Sequence, residues 1–125
     1  MIYIKTNFKL TETEAKFADL IWENEPVESP ELVKIAEREM QWKKSTTYTV
    51  LKKLCEKGIF KNENALVSAV LKKEEFYAGQ SRNYVEETFG GSLPRFIAAF
   101  VGGGRLNAKQ AEELKRLIDE HKEED

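Results

Sequence analysis

A chain of 125 residues, 41% hydrophobic and 34% charged, suits one domain with an appendage and is long enough to bury a core. Its 20 basic and 22 acidic residues nearly cancel, so overall charge names no partner, and no apolar run reaches the ~18 residues of a membrane span. The start, MIYIKTNFKLTETE, lacks the apolar core and cleavage site of a signal peptide, and one cysteine, Cys55, cannot staple the fold; a cytoplasmic, reducing location is expected.

Thr11-Glu12-Thr13-Glu14 is a capping box, in which Thr11 accepts from the Glu14 backbone and the Glu14 carboxylate reaches back. The helix it opens carries Phe17, Ala18, Leu20, Ile21 and Trp22 on its apolar side and ends near Asn24–Pro26. Val27-Glu28 reads as a short extended link. Ser29-Pro30 offers an N-cap followed by proline at the first helical position. The second helix, about 30–40, buries Leu32, Val33, Ile35, Ala36 and Met40.

A third helix starts around Lys43–Ser45, runs to Lys57 and stops at Gly58, which can take the left-handed conformation. Its inward side is Thr47, Val50, Leu51 and Leu54, with Cys55 inward or at the edge. Its outward side is Ser45, Thr46, Tyr48, Thr49, Lys52 and Lys53. Ile59-Phe60 and Leu66–Leu71 then read as two strands around the turn Asn62-Glu63-Asn64-Ala65. Three short helices and a hairpin, in that order, predict a mainly α chain with a winged helix-turn-helix over residues 1–75.

Residues 76–125 read as helical. Lys73–Phe89 is broken at Gly90-Gly91, and Leu93, Phe96, Ile97, Phe100 and Val101 follow as an i, i+3, i+4, i+7, i+8 stripe. Gly102-Gly103-Gly104 is a hinge, Asn107-x-x-Gln110 is a second capping-box candidate with Leu106 stapling onto Ala111, and Leu114, Leu117 and Ile118 line the last helix. Leaving the five side chains of the 93–101 stripe exposed forfeits roughly 1.5–3 kcal/mol each. A two-fold dimer through C-terminal dimerisation helices is the expected resolution; folding back onto the N-terminal domain is the alternative.

Charge is local. Residues 43–61 hold Lys43, Lys44, Lys52, Lys53, Lys57 and Lys61 against Glu56 alone, and local charge attracts a polyanion even where the total does not. The major groove of B-DNA admits one α-helix whose outward side chains must be short or flexible. Ser45, Thr46 and Thr49 are short donors and acceptors, Tyr48 reaches further, and Lys52 and Lys53 suit phosphates. Lys43 and Lys44 stand at the helix start, where free N–H groups already favour an anion.

Trp42, Thr46-Thr47, Thr49, Val50-Leu51, Leu54 and Glu56-Lys57-Gly58 resemble the recognition segment of the penicillinase/methicillin-repressor family (BlaI/MecI type), whose cousins include copper-responsive repressors. Leu10-Thr11-x-x-Glu14 with Leu20-x-Trp22-Glu23 resembles that family's first helix. Leu71–Phe76 resembles its segment after the wing, and Phe89-Gly90-Gly91-Ser92-Leu93 with Leu106-x-x-x-Gln110-x-x-Glu113-Leu114 its dimerisation region. The resemblance implies a homodimeric repressor of palindromic double-stranded DNA operators, without cofactor, released when a membrane sensor peptidase system triggers proteolysis in the dimerisation helix. The family cuts between asparagine and phenylalanine; here Ala99-Phe100 stands, without the asparagine. The recognition helix opens on Lys43-Lys44 rather than a capping pair, and Lys61 is the one base of a short wing that also carries Glu63. The paired C-terminal cysteines of the copper cousins are missing, so no metal is expected.

No catalytic constellation is legible. His121 lies in the last turns, where it caps carbonyls, and Glu74-Glu75 and Glu112-Glu113 are solvated helical pairs. Lys52 and Lys53 beside Cys55 would lower its pKa and make it reactive, whereas its inward position opposes that. The rival class is a winged-helix protein-interaction module, with a ligand-responsive regulator as a nearer variant. A protein-binding face would expose more apolar surface than residues 43–53 carry.

Overall fold

In a computed structural model, residues 6–123 are described. Met1–Lys5, within the start expected to carry no signal peptide, and Glu124 and Asp125 of the acidic end lie outside the described residues. The chain divides into two compact units, one up to Asn83 and one from Tyr84.

The first unit opens on α1, Glu12–Asn24. Both halves of its capping box form: Glu14 N–H donates to Thr11 Oγ1 at 3.1 Å, and Thr11 N–H to Glu14 Oε1 at 2.9 Å. Phe17, Ala18 and Ile21 are its buried residues. Beyond Glu25 and Pro26, the expected link Val27–Glu28 is instead a strand, β1, paired antiparallel with the hairpin. A two-residue strand has no periodicity to detect; its hydrogen bonds come from a segment some forty residues away in sequence.

The cap of α2 (Ser29–Met40) differs from expectation by one residue. Glu28 is the N-cap and makes no side-chain bond, while Ser29 is buried as the first helical residue. The Ser29 N–H goes to Ala65 O at 2.7 Å, so the hairpin satisfies a donor that a cap would otherwise meet. Gln41 ends α2 at φ 55°, and the Trp42 N–H reaches back to Ala36 O at 3.3 Å. This left-handed stop sets the turn into α3, Lys44–Glu56, whose buried residues are Thr47, Leu51 and Leu54.

Gly58, at φ 79°, ends that helix turn, as its lack of a Cβ allows. β2 (Phe60–Glu63) and β3 (Leu66–Ala69) follow, and the sheet order is β1-β3-β2, all antiparallel. Phe60 and Val67 face inward, joining Phe17, Ile21, Leu32, Leu54 and Ile59 in the core. Trp22 packs its ring at a tilt against Phe60, with centroids 5.2 Å apart, and donates its indole N–H to Leu71 O at 3.0 Å. Phe76, in the first turns of α4 (Lys73–Phe89), is also fully buried there. This is a winged helix with a three-stranded sheet.

The hairpin turn is two residues, Asn64-Ala65, at φ 53° and 65°. Both positive values mark the turn type that suits Asn-Gly, and Ala65 carries a Cβ in a region that costs it about 1–2 kcal/mol. Ala65→Gly should therefore stabilise the chain by about 0.5–1 kcal/mol, once glycine's extra chain entropy is subtracted. Urea unfolding reads this as a higher midpoint at unchanged slope; a lower midpoint would mean the methyl is packed.

The second unit holds the end of α4, then α5 (Leu93–Val101) and α6 (Ala108–His121). Gly90 and Gly91, at φ 59° and 81°, break α4 from α5. Ser92 caps α5 through Arg95 N–H at 3.2 Å, and Asn107 caps α6 through Gln110 N–H at 2.8 Å. Tyr84, Phe89, Phe96 and Phe100 form a chain of edge-on and tilted rings, from Tyr84–Phe89 at 6.0 Å to Phe96–Phe100 at 6.2 Å. Even so, α5 and α6 contain no buried residue among those described. Phe100 is 70% exposed, Ile118 61% and Leu93 56%.

Candidate nucleic-acid interface

With 3.6 residues per turn, Ser45, Thr46, Thr49, Lys52 and Lys53 fall on one side of α3, and all five are exposed. The helix can present this side because Thr47, Leu51 and Leu54 pin the opposite one into the core. Thr47 also donates its hydroxyl to Lys43 O at 3.3 Å, settling a polar group that is otherwise buried. Lys43 and Lys44 are exposed at the helix start, and Lys43 caps α3 with no side-chain bond. Glu37, Gln41, Trp42, Lys43 and Lys44 line an open depression there. Trp42 packs at a tilt against Phe17, with centroids 5.0 Å apart, which ties the turn to the core.

The expected face divides on closer geometry. Thr49 donates its hydroxyl to Ser45 O at 2.9 Å, so what it offers outward is acceptor capacity. Tyr48, expected outward, is half-buried instead, and its hydroxyl lies 3.3 Å from Ser29 Oγ. It braces α3 against the start of α2. Its position on the helical wheel is the flank beside Leu51, a signal the sequence carried.

The six lysines also divide. Lys43, Lys44, Lys52 and Lys53 are exposed and form no ion pair among the described residues. Lys57 turns inward, donating to Lys9 O at 2.6 Å and to Glu14 Oε1 at 3.1 Å. The backbone hydrogen bond at Thr11, and then Lys57 itself, hold the Glu14 carboxyl below its usual range. Lys61, the wing's base, lies 3.8 Å from Glu63 on the same strand. Glu56 is exposed at the far end of the helix, in line with Thr49 and Lys52.

Cys55 is half-buried, and burial, with Glu56 adding to it, pushes its thiol pKa up. That is the reverse of what the neighbouring lysines suggested, and it keeps the thiol protonated. His121 sits with Nδ1 2.9 Å from Leu117 O. Ala99 and Phe100 are exposed within α5. No described helix is long and apolar enough to cross a membrane.

A family model described as penicillinase repressor matches residues 10–120. The penicillinase repressor of Bacillus licheniformis is 19% identical over 118 residues, covering 91% of this chain and 92% of that protein. The penicillinase repressor of Staphylococcus aureus is 23% identical over 106 residues, covering 82% of this chain and 84% of that protein.

Proposed function

The chain belongs to the penicillinase repressor family, and from that premise we propose a DNA-binding transcriptional repressor that acts as a homodimer on a palindromic operator. The observation that carries this reading is the outward side of α3. Five exposed residues there are hydroxyls or lysines, and two more lysines stand at its start. None of these lysines is paired with an acid among the described residues. Ser45, Thr46 and Thr49 contact base edges, while Lys43, Lys44, Lys52 and Lys53 hold phosphates. Glu56 repels the backbone at the far end, so binding is concentrated on the part of the helix from Lys44 to Lys53. Tyr48 acts through position, by bracing α3.

The wing contributes little in this reading. Its tip is a two-residue turn whose Ala65 carbonyl is bound to Ser29, and Lys61 sits beside Glu63. The apolar side chains Leu93, Ile97, Phe100, Leu117 and Ile118, left exposed in the second unit, support the homodimer. Phe89, Phe96, Val101 and Leu114 complete the same set of helices. A protein-interaction role for α3 is disfavoured, because no large exposed hydrophobic belongs to it among the described residues.

Selection of bound sequences from a random DNA pool tests the reading. An inverted repeat with half-site centres roughly 10 base pairs apart, or a multiple of that, is expected. Recovery of no enriched sequence, from protein shown to be folded, would reject DNA recognition.

A further inference from the structure

One segment belongs neither to the reading face nor to the exposed apolar helices. Asn7–Lys9 runs as a strap between the end of α3 and the second turn of α4. At the α3 end, Asn7 N–H donates to Lys57 O at 2.9 Å, satisfying a carbonyl left over where the helix stops. The Lys57 ammonium answers by binding Lys9 O at 2.6 Å and Glu14 at 3.1 Å. At the α4 end, the Phe8 ring packs on Phe76 with centroids 5.5 Å apart. Gln80 donates its side-chain amide to Phe8 O at 3.0 Å.

Gly79 shows how close this approach is. It sits inside a helix, at a negative φ, where glycine is among the poorest helix formers and the backbone does not require it. A Cβ added there would overlap the edge of the Phe8 ring, at Cε1 and Cζ. The glycine is therefore explained by the strap. The first turn of α4 is held differently, by buried Phe76 and by the Lys73–Asp19 pair at 3.1 Å. With the strap added, α4 is fastened at two heights, and the upper fastening leads directly to the end of the recognition helix.

We propose that the Asn7–Lys9 strap, through Phe8 seated on Gly79, is a positioning element that sets which operator half-site spacing the dimer accepts. The proposal rests on the repressor reading. In a dimer made by the helices beyond Asn83, each α3 is connected to the two-fold axis through α4. A base pair added between half-sites rotates one of them by roughly 34° about the DNA axis. A firmly fastened α4 resists that rotation, and a loosened one permits it. Phe8 and Gly79 touch no DNA in this account; they act through α4.

The test uses the full chain and the operator that it selects, rebuilt with one or two base pairs inserted or removed between unchanged half-sites. The wild type is expected to lose at least 30-fold in affinity per base pair. Phe8→Ala should lose no more than about 3-fold, remain dimeric by light scattering, and keep the same preferred half-site sequence. Phe8→Leu, which refills the seat, should restore most of the discrimination. If Phe8→Ala does not fold, Gly79→Ala, whose Cβ displaces the Phe8 ring from its seat while favouring the helix, decides in its place with the same flattening expected. Spacing discrimination as sharp as the wild type's in the folded variants would overturn the strap while leaving the repressor reading intact. A folded wild type that selects no DNA would overturn the repressor reading, and the strap proposal with it.

Discussion

Phe96→Glu combined with Phe100→Glu should convert the protein to monomers and weaken operator binding by roughly 10²–10⁴-fold, the loss that accompanies separation of two linked sites. Phe100 is 70% exposed in the protomer, and Leu93, Leu117 and Ile118 are each more than half exposed. Covering such side chains is worth roughly 1.5–3 kcal/mol each, and a two-fold interface counts every residue twice. A carboxylate at the same place must instead be desolvated without a partner, which reverses the sign. Phe96 also takes part in the ring chain with Phe89 and Phe100, so its replacement loosens the protomer as well. Phe100→Glu alone separates the two effects, since so exposed a ring has little to lose within one chain. Sedimentation and gel-shift titration measure both quantities. A variant that stays dimeric would place the interface on another surface.

Replacing Lys52 and Lys53 by alanine should flatten the dependence of log affinity on log salt. Each phosphate left without its lysine takes roughly 0.9 from the slope, up to about 3.6 for the four side chains of a dimer. Both lysines are exposed, and neither is engaged by an acid among the described residues. Their charge is therefore available to a polyanion, and their removal disturbs no packing. The preferred sequence should persist, because Ser45, Thr46 and Thr49 remain and phosphate contacts position rather than specify. A slope unchanged from 50 to 300 mM salt (on the order of the range over which counterion release is measured) would mean that these lysines do not touch the backbone.

Much of the first unit was legible because its signals are short-range. The Thr11–Glu14 box, the stop at Gly58 and the break at Gly90-Gly91 each depend on residues within one helical turn, and each formed as read. The inward stripe of α3 was legible for the same reason, with Thr47, Leu51 and Leu54 buried and Val50 half-buried against the core. Apart from the hairpin, whose turn is Asn64-Ala65 rather than Asn62–Ala65 because Asn62 and Glu63 pair within β2, the errors fell where a distant segment decides. Val27–Glu28 is extended in either reading, but only β3 makes it a strand. Ser29 has a capping residue's chemistry, yet the Ala65 carbonyl took its N–H and burial took its side chain.

The candidate interface divides in the same way. Sequence alone determined that hydroxyls and lysines share one side of a helix, since helical periodicity alone assigns them to it. Tertiary structure decided which members stay available. Tyr48 is drawn to Ser29, nineteen residues away, and Lys57 to Glu14 and Lys9, more than forty away. It also decided that Gly79 makes room for Phe8. A local pattern states which way a side chain points along its own helix; whether something stands there to meet it depends on how remote parts of the chain pack.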